Sequence, residues 1–477
     1  MRKLSLLSLL ILSACMGAPA YRPPPVAVPA AYRETGASGL AARPALSTTP
    51  VRANDPVEFD AGFWKQLGDS TLMRLTEEAI HANLDVRAAQ ARVRQARAAR
   101  SRAVLDLTPE GIVSGGFSRR RFASASFPGA SGRLPDESVW DAGFDAAWEV
   151  DLFGRLRHNI RAQDAFVAVS REDLRGVLVA LTAELARAYF ELRGAQEQLA
   201  VAERNAENQR RTLALTRDRL DAGRGSAFDT ERALAQLSIT LSSIPARQAQ
   251  VAAAQYRIGV LVGRSPTEVA AELGPVSGQP SLPDSVAVGS PDSITRHRPD
   301  VAAAERYAAA QASLTGSARS EFLPRLSVGG SLGLTAGEFN GLGDNGSFRY
   351  AVGPVLSWPL LNLGRVKSEV NLAQAREDEA RAQYGQVVLA AIEEVETALA
   401  RYNASRTRVT QLAEASAASE RAADLARMRF SEGVADFLQV LDAERTQLET
   451  QDLLAQGRTE AATAYAALYK ALGGSGS

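Results

Sequence analysis

The chain has 477 residues, and its 54 lysines and arginines equal its 54 aspartates and glutamates, so no global charge attracts it to nucleic acid. Aromatic residues make up only 6% of the chain and alanine dominates its long segments, which favours slender, closely packed helices over one large globular core. Its single cysteine, Cys15, excludes an internal disulfide bond.

Residues 1–14 have the pattern of a signal peptide. Two basic residues precede the apolar run Leu4–Leu12, which is too short to span a bilayer, and a small-residue cleavage site ends at Cys15. Because Leu-Ser-Ala-Cys resembles the bacterial lipoprotein signal, we expect Cys15 to be acylated and to become the new N-terminus. Residues 15–60, which begin with a proline- and alanine-rich stretch, are predicted to form a lipidated, extended tether.

The second half of the chain repeats the first half at a fixed offset. Three features recur 210 to 215 residues later: Trp148 to Arg155 as Trp358 to Arg365, Gly223 as Gly433, and Asp85-Val86 as Asp300-Val301. A repeat of this length indicates one structural unit built twice. We therefore predict a first repeat over 61–270, a linker over 271–290 and a second repeat over 291–477.

Alternating apolar and polar side chains predict strands at about 108–152 in the first repeat and 323–362 in the second. The polar face of the clearest segment, Ser138 to Leu152, carries Asp141, Asp145, Glu149 and Asp151. These acids would either line an aqueous lumen or simply face water. No later stretch of the chain offers an apolar span long enough for a transmembrane helix, so any passage through a membrane must be made by strands.

Aromatic residues are spaced eight residues apart in both strand segments, as Trp140 and Trp148 and as Tyr350 and Trp358. Eight residues extend about 26 Å along a strand, close to the ~25 Å apolar band of an outer-membrane barrel, which aromatic girdles flank. We therefore predict that these four residues form an aromatic girdle in contact with outer-membrane lipid. The alternative is a soluble β-sandwich with one buried face.

Four strands cannot close a membrane barrel, since the smallest natural barrels have about eight. An open sheet would leave unpaired backbone groups in lipid at a cost of several kcal/mol each. The chain must then share its barrel with copies of itself; three copies give twelve strands, although closure alone also permits a dimer. The predicted fold is an α+β membrane protein with two internal repeats.

Long segments without proline, 155–219 and 365–429, predict helices that extend about 100 Å at ~1.5 Å per residue. A heptad-like apolar pattern, which includes Leu178, Leu185 and Leu192, indicates coiled-coil packing. Partner helices are predicted to return after glycine-containing tips: Phe228–Leu261 after the first tip, with a kink or break at Pro245, and Phe437–Leu472 after the second. The competing interpretation is a structural or adhesive trimeric coiled coil on the cell surface.

Motifs that could indicate an enzyme or a cofactor have the wrong context. Gly329-Gly-Ser331-Leu-Gly333 matches the hydrolase pattern, but Ser331 lies in a predicted strand and not at a strand-to-helix elbow. Gly341 to Gly346 matches a dinucleotide pattern, but a strand follows it. His81, His158 and His297 lack metal-ligand spacing. We predict no catalytic site, no metal site and no cofactor.

One further constellation follows the second tip, in the segment Leu438-Gln-Val-Leu-Asp442-Ala-Glu-Arg445. Taken alone, Asp442 and Arg445 are compatible with an ordinary helical i,i+3 ion pair worth a few tenths of a kcal/mol.

Together these motifs resemble the TolC-like outer-membrane factor family, in particular its acylated drug-efflux branch, over nearly all of the mature chain. The segments that carry the resemblance are Phe63-Trp64, Asn83-Leu-Asp-Val86, Trp148 to Arg155, Arg298-Pro-Asp-Val301, Trp358 to Arg365 and Val440-Leu-Asp-Ala443. The resemblance implies a homotrimer with a twelve-stranded β-barrel, a long periplasmic α-helical barrel and a small equatorial domain drawn from residues near 61–80, 266–297 and the C-terminus. Its implied location is the bacterial outer membrane, lipid-anchored and extending into the periplasm.

The resemblance also implies a function and a set of site residues. The chain would be a passive exit duct for small molecules such as drugs, working with a periplasmic adaptor and an inner-membrane pump of the RND type. By match, Leu438, Asp442 and Arg445 form the periplasmic gate. Gln439 stands where some members have a second acid, and the first-repeat equivalent of Asp442 is Arg232.

We expect the adaptor to dock at the two helical tips, Ala222–Ala227 and Glu432–Phe437, because small residues there allow close approach. The residues predicted to carry this contact are Gly223, Ser226, Gly433 and Asp436.

Overall fold

The computed structural model describes residues 21, 23–34, 62–126, 128–129, 132–274, 278–283, 286, 288–292 and 297–474. Cys15, with the predicted signal peptide and most of the tether, lies outside these residues. The chain divides into two compact units that do not coincide with the sequence repeats, because each unit draws on both. We call them the sheet unit (Met1–Pro24, Val93–Ser170 and Ala304–Tyr384) and the helix unit (Pro25–Arg92, Arg171–Ala303 and Gly385–Ser477).

The described chain is mostly helical and has one four-stranded sheet, as predicted. In chain order its helices and strands are α1 Gly62–Lys65, α2 Ser70–Ala82, α3 Leu84–Leu105, β1 Glu110–Arg120, β2 Glu137–Val150, α4 Arg155–Asp221, α5 Ala227–Leu261, α6 Pro266–Glu272, α7 Pro299–Ser320, β3 Arg325–Ala336, β4 Phe348–Ser357, α8 Leu363–Ser431 and α9 Phe437–Ala471. None of the described helices is both long enough and apolar enough to cross a membrane.

The sheet is antiparallel and its strands are in the order β1-β2-β3-β4. The register puts Val113, Phe144, Leu332 and Tyr350 side by side on one face. This apolar face is largely uncovered in the single chain, with Val113 83% and Tyr350 75% exposed. The opposite face, which we call the small-residue face, consists mainly of glycine, serine, alanine and charged residues. The apolar Ile112 also lies on the small-residue face, opposite Asp145.

Equivalent residues of the two repeats are staggered in the sheet. Trp148 pairs with Val328, which pairs with Pro354, so Trp358 lies four residues further along the chain, directly after the end of β4. Trp140 pairs with Ala336, whereas its equivalent Tyr350 pairs with Leu332, again an offset of four residues. Crossing two strands of the sheet therefore shifts equivalent positions by four residues along the strand.

The long helices match the predicted segments, and their predicted apolar seam is buried. Leu185 and Leu192 in α4 have no exposed surface, nor do Val395 and Tyr402 in α8. Of the kink or break predicted at Pro245, the break does not occur, because α5 continues through Pro245 from Ala227 to Leu261. The kink stays a prediction. Proline removes one helical hydrogen bond and crowds the preceding turn, at a cost of about 3 kcal/mol, which the packing of a helix this long can offset.

Within the helix unit, two equivalent hydrogen-bonded contacts between helices, which we call joints, explain two of the sequence motifs. Asn83 accepts bonds from the amides of Asp85 and Val86 and donates to the carbonyl of Leu261, 2.9 Å away. Its second-repeat equivalent, Arg298, donates to the carbonyl of Ala471 at 2.8 Å. Leu261 and Ala471 are also equivalent positions, at the C-terminal ends of α5 and α9, so each motif caps the returning helix of its own repeat.

Glycines complete these joints. Gly263 and Gly473 have φ values of 70° and 73°, a conformation that other residues rarely adopt. A Cβ on Gly263 would stand 2.5 Å from the carbonyl oxygen of Ala82, and one on Gly473 would stand 3.0 Å from the Cα of Arg298. The close approach of the two backbones therefore requires glycine at both positions.

The N- and C-terminal parts of the chain meet inside the helix unit. The Phe63 ring stacks on that of Tyr465 at 4.6 Å between centroids, and Trp64 lies 4.6 Å from Tyr469. The described end of the predicted tether is also docked, since the Arg33 amide donates to the Glu396 carboxylate at 2.8 Å. The Phe63-Trp64 motif is thus part of an aromatic core that closes on α9.

Candidate functional site

Both helical tips are left-handed turns built around the predicted glycines. Gly223 and Gly433 have φ values of 70° and 78°. The Gly223 amide donates to the carbonyl of Leu220 at 2.9 Å, and the Gly433 amide donates to that of Phe430 at 3.0 Å. Glycine at this position ends a helix with least strain and lets the chain reverse. The tips are therefore fixed turns, with equivalent geometry in the two repeats.

The other two predicted docking residues cap the helices that leave the tips. Ser226 Oγ accepts from the amide of Phe228 at 3.1 Å, and Asp436 Oδ1 accepts from the amide of Leu438 at 3.4 Å. Gly223, Ser226, Gly433 and Asp436 are all exposed. They offer a small, uncovered surface at the end of each hairpin.

Behind the tips, one apolar cluster joins all four hairpin helices. Its buried members come from α4, α5, α8 and α9: Ala206, Leu213, Ala233, Leu237, Phe430, Phe437, Val440 and Leu441. The cluster holds the two hairpins together immediately below their turns.

The three predicted gate residues share one face of α9. Leu438, Asp442 and Arg445 are exposed, whereas Val440 and Leu441 between them are buried in the cluster. The spacing of four and then three residues places the exposed three on a single stripe. Within the described part of the chain, no ion pair joins Asp442 to Arg445, so the simple i,i+3 pair does not form. Both charges are available to groups outside the single chain.

A buried carboxylate lies directly behind this stripe, and sequence reasoning missed it. Glu444 is 3% exposed; Thr212 Oγ1 on α4 donates to it at 2.7 Å, and Arg427 on α8 lies 3.5 Å away. Burial raises the pKa of the Glu444 carboxyl, against the opposing effects of Thr212 and Arg427. The sequence did contain one signal for this: the helical periodicity of α9 places Glu444 on the same face as the buried Val440 and Leu441.

A second missed residue ties the two tips together. Arg219, in the last turn of α4, donates through Nη1 to the carbonyl of Phe430 near the end of α8. Its guanidinium also lies over the Phe430 ring, 4.6 Å from the centroid, a favourable cation–π geometry. A cation at a helix C-terminus also complements the helix dipole.

The first-repeat counterparts of the gate residues are arranged differently. Arg232 and Phe228, the equivalents of Asp442 and Leu438, stack with the guanidinium carbon 5.3 Å from the ring centroid. Phe228 is nevertheless 64% exposed. The two hairpins therefore present different chemistry at equivalent positions.

Within the sheet unit, the predicted girdle residues have specific partners. The indole nitrogens of Trp148 and Trp358 donate to the carbonyls of Leu107 and Phe322, at 2.8 and 3.1 Å. Leu107 and Phe322 are themselves equivalent positions just before β1 and β3, so the repeat extends to these contacts. The Trp140 ring lies 4.5 Å from that of Phe117 and 5.1 Å from that of Phe339, which forms an aromatic group at one end of the sheet.

The motifs judged to have the wrong context lie where the sequence placed them. Ser331 is inside β3, paired with Asp145 and Ala351. The segment from Gly341 to Gly346 leads into β4. Among the described residues, no group of three histidine, cysteine, aspartate or glutamate side chains could hold a metal ion.

A four-stranded sheet with an exposed apolar face, combined with two helical hairpins of nearly 70-residue outgoing helices, is the fold of outer-membrane channel proteins. The solved outer-membrane channel OprN superimposes with a TM-score of 0.84 at 36% identity, covering 96% of this chain and 99% of that one. The family model described as outer membrane efflux protein matches residues 75–264 and 291–474. The chain belongs to the outer membrane efflux protein family.

Two curated relatives match along almost their whole length. Outer membrane protein OprJ of Pseudomonas aeruginosa is 30% identical, over 98% of this chain and 95% of its own. Toluene efflux pump outer membrane protein TtgI of Pseudomonas putida is 28% identical, over 99% and 98%. The chain is thus an outer-membrane efflux protein, a passive exit duct.

Proposed function

We propose that three copies of this chain form the duct, each contributing four strands to one twelve-stranded barrel. The observation that supports this most directly is the sheet itself: β1 and β4 are its two edges, and an unpaired edge cannot remain in lipid. Pairing β4 of one copy with β1 of the next satisfies every edge once the ring closes. The large apolar face would meet lipid, and the small-residue face would line a wide aqueous lumen.

The stagger between repeats supports the same arrangement. An offset of four residues is about 13 Å along the strands, gained over two strand spacings of about 4.8 Å each. Continued around a ring, this corresponds to strands tilted by about 54° from the barrel axis, a larger tilt than the 35–45° typical of barrels. Such a tilt brings Trp148 level with Trp358 and Trp140 level with Tyr350, as two girdles require.

The partners we propose are a periplasmic adaptor, docked at the two tips, and an inner-membrane pump of the RND type. TtgI is named as the outer membrane protein of a toluene efflux pump, and small drug-like molecules are the cargo we propose here. The exposed tip residues support adaptor docking, and the stripe of Leu438, Asp442 and Arg445 supports a gate at the periplasmic end. No observation favours the alternative of an adhesive coiled coil.

The duct is tested by reconstitution of the purified full-length protein in planar bilayers. We expect discrete single-channel currents and a crosslinked species of three chains. An adhesive coiled coil would give no current, and a crosslinked dimer as the largest species would contradict the twelve-stranded ring. Expression in an efflux-deficient strain that supplies an adaptor and pump should restore drug resistance.

We further propose that Cys15 carries the lipid anchor. Mass spectrometry of the mature protein should find an acylated N-terminus at Cys15, and Cys15→Ser should lose the acyl chains. Because acyl chains add membrane affinity without closing the barrel, the variant should still give channels in planar bilayers. An unmodified Cys15, or residues preceding it in the mature protein, would refute the assignment.

A further inference from the structure

Charged residues on the small-residue face of the sheet are mostly neutralised by partners. Eight ionisable side chains of the described strands point to this face. Six of them have an ion-pair partner: Arg120 with Glu137, Asp141 with Arg349, Glu149 with Arg155, and Arg325 with Glu321. The charged residues on this face that have no ion-pair partner therefore determine the net charge of the face.

One of these ion pairs joins two strands that are not neighbours in the sheet. Arg349 reaches from β4 across β3 to Asp141 on β2, with an Nη2–Oδ1 distance of 2.8 Å, and Thr335 also donates to Asp141 at 2.7 Å. A Cβ on either Gly143 or Gly333 would stand 3.2 Å from the Arg349 guanidinium. Two neighbouring glycines thus leave the space that lets this arginine lie flat over the sheet.

Two acids are left without such a partner. Glu110 on β1 and Asp145 on β2 are both exposed, and among the described residues neither has an ion pair or a side-chain hydrogen bond. Asp145 pairs with Ile112 and Glu110 pairs with Ala147, so the two carboxylates are diagonal neighbours on the small-residue face, about 7–8 Å apart at the Cα atoms.

We propose that Glu110 and Asp145 set the cation preference of the barrel lumen. The inference rests on the proposed trimer, in which the small-residue face lines the lumen and six carboxylates surround it. They bind no ion; their field raises the local concentration of cations and lowers that of anions. The Asp141–Arg349 ion pair neutralises a third acid of each chain, so that this acid adds little to the negative field in the lumen.

Bilayer reversal potentials in a KCl gradient test the proposal with the full-length protein. The double variant E110Q/D145N should lower the K⁺ to Cl⁻ permeability ratio by roughly twofold or more. The shift should be large near 0.1 M KCl, where the Debye length is about 10 Å, and small at 1 M, where it is about 3 Å. Each single variant should give part of the shift.

Variants of the Asp141–Arg349 pair should change the K⁺ to Cl⁻ permeability ratio in opposite directions, which a merely structural role would not produce. R349Q frees the Asp141 charge and should raise the cation preference, whereas D141N leaves Arg349 uncompensated and should lower it. S331A, on the same face and uncharged, is the matched control and should leave the ratio unchanged. The shift from E110Q/D145N should persist in an Asp442→Ala background, which separates the lumen from the gate.

Normal conductance with an unchanged permeability ratio in E110Q/D145N would overturn the inference while leaving the duct intact. A shift of the permeability ratio with the same sign in R349Q and D141N would overturn the claim that their ion pair neutralises Asp141 in the lumen. Absence of any channel from the native chain would instead overturn the proposed duct, and the inference with it.

Discussion

Arg445→Ala should raise the single-channel conductance of the duct. In the proposed trimer, three Asp442 side chains face one another at the periplasmic end, and at an effective dielectric constant of ~20 two such charges 4 Å apart repel by about 4 kcal/mol. Arg445 lies on the same exposed stripe and has no ion pair to Asp442 within the described single chain, so its charge is free to hold neighbouring copies together. Removing it leaves the repulsion uncompensated and favours an open end.

Single-channel recording checks this expectation, with Arg94→Ala, an exposed arginine of α3, as the control for loss of one positive charge. Asp442→Ala should have a different effect, since it removes the repelling charge itself: we expect a changed cation selectivity or a weaker block by divalent ions. Unchanged conductance, selectivity and divalent block in both gate variants would place the constriction elsewhere.

Tryptophan at Gly223 or Gly433 should abolish drug resistance and leave the protein in the outer membrane. A Cβ at Gly223 meets nothing within 4 Å, and one at Gly433 meets only the Arg219 guanidinium at 3.9 Å. The new side chain would therefore project from the tip and block the close approach of an adaptor, while the helices beneath stay packed in their apolar cluster.

The positive φ also strains any residue other than glycine by about 1–3 kcal/mol, so the control must carry the same strain. Gly68→Trp provides it, because Gly68 has a φ of 64° and equally open surroundings but lies outside the tips. Resistance and outer-membrane abundance are measured together for all three variants. Full resistance in both tip variants, with adaptor crosslinks mapping elsewhere, would contradict docking at the tips.

The features that could be predicted from the sequence are those with a local period or a repeated spacing. Alternation predicted β2 over Ser138–Leu152, and the strand is Glu137–Val150. The 210-residue offset paired Gly223 with Gly433, and both have the same left-handed backbone. Such signals survive in a single sequence because neighbouring residues in the chain are also neighbours in the element.

Contacts between distant segments could not be predicted in this way. Arg219 and Phe430 meet across 211 positions, and Thr212 and Glu444 across 232; no periodicity marks either pair. The unbroken course of α5 through Pro245 was missed for a related reason, since the local cost of a proline leaves out the packing that a helix of 35 residues gains. The stripe of gate residues needed a family resemblance, because exposure on a helix alone does not identify a function.

The matched joints at Asn83 and Arg298 bear on how such a chain evolves after duplication. Each joint uses a different side chain to reach the equivalent carbonyl, Leu261 or Ala471, so the inherited architecture tolerates substitution as long as the bond is kept. At the tips the two copies have diverged in charge, with Arg232 in one and Asp442 in the other. The two hairpins thus share one frame and present opposite charges at equivalent positions, so each can contact a different group.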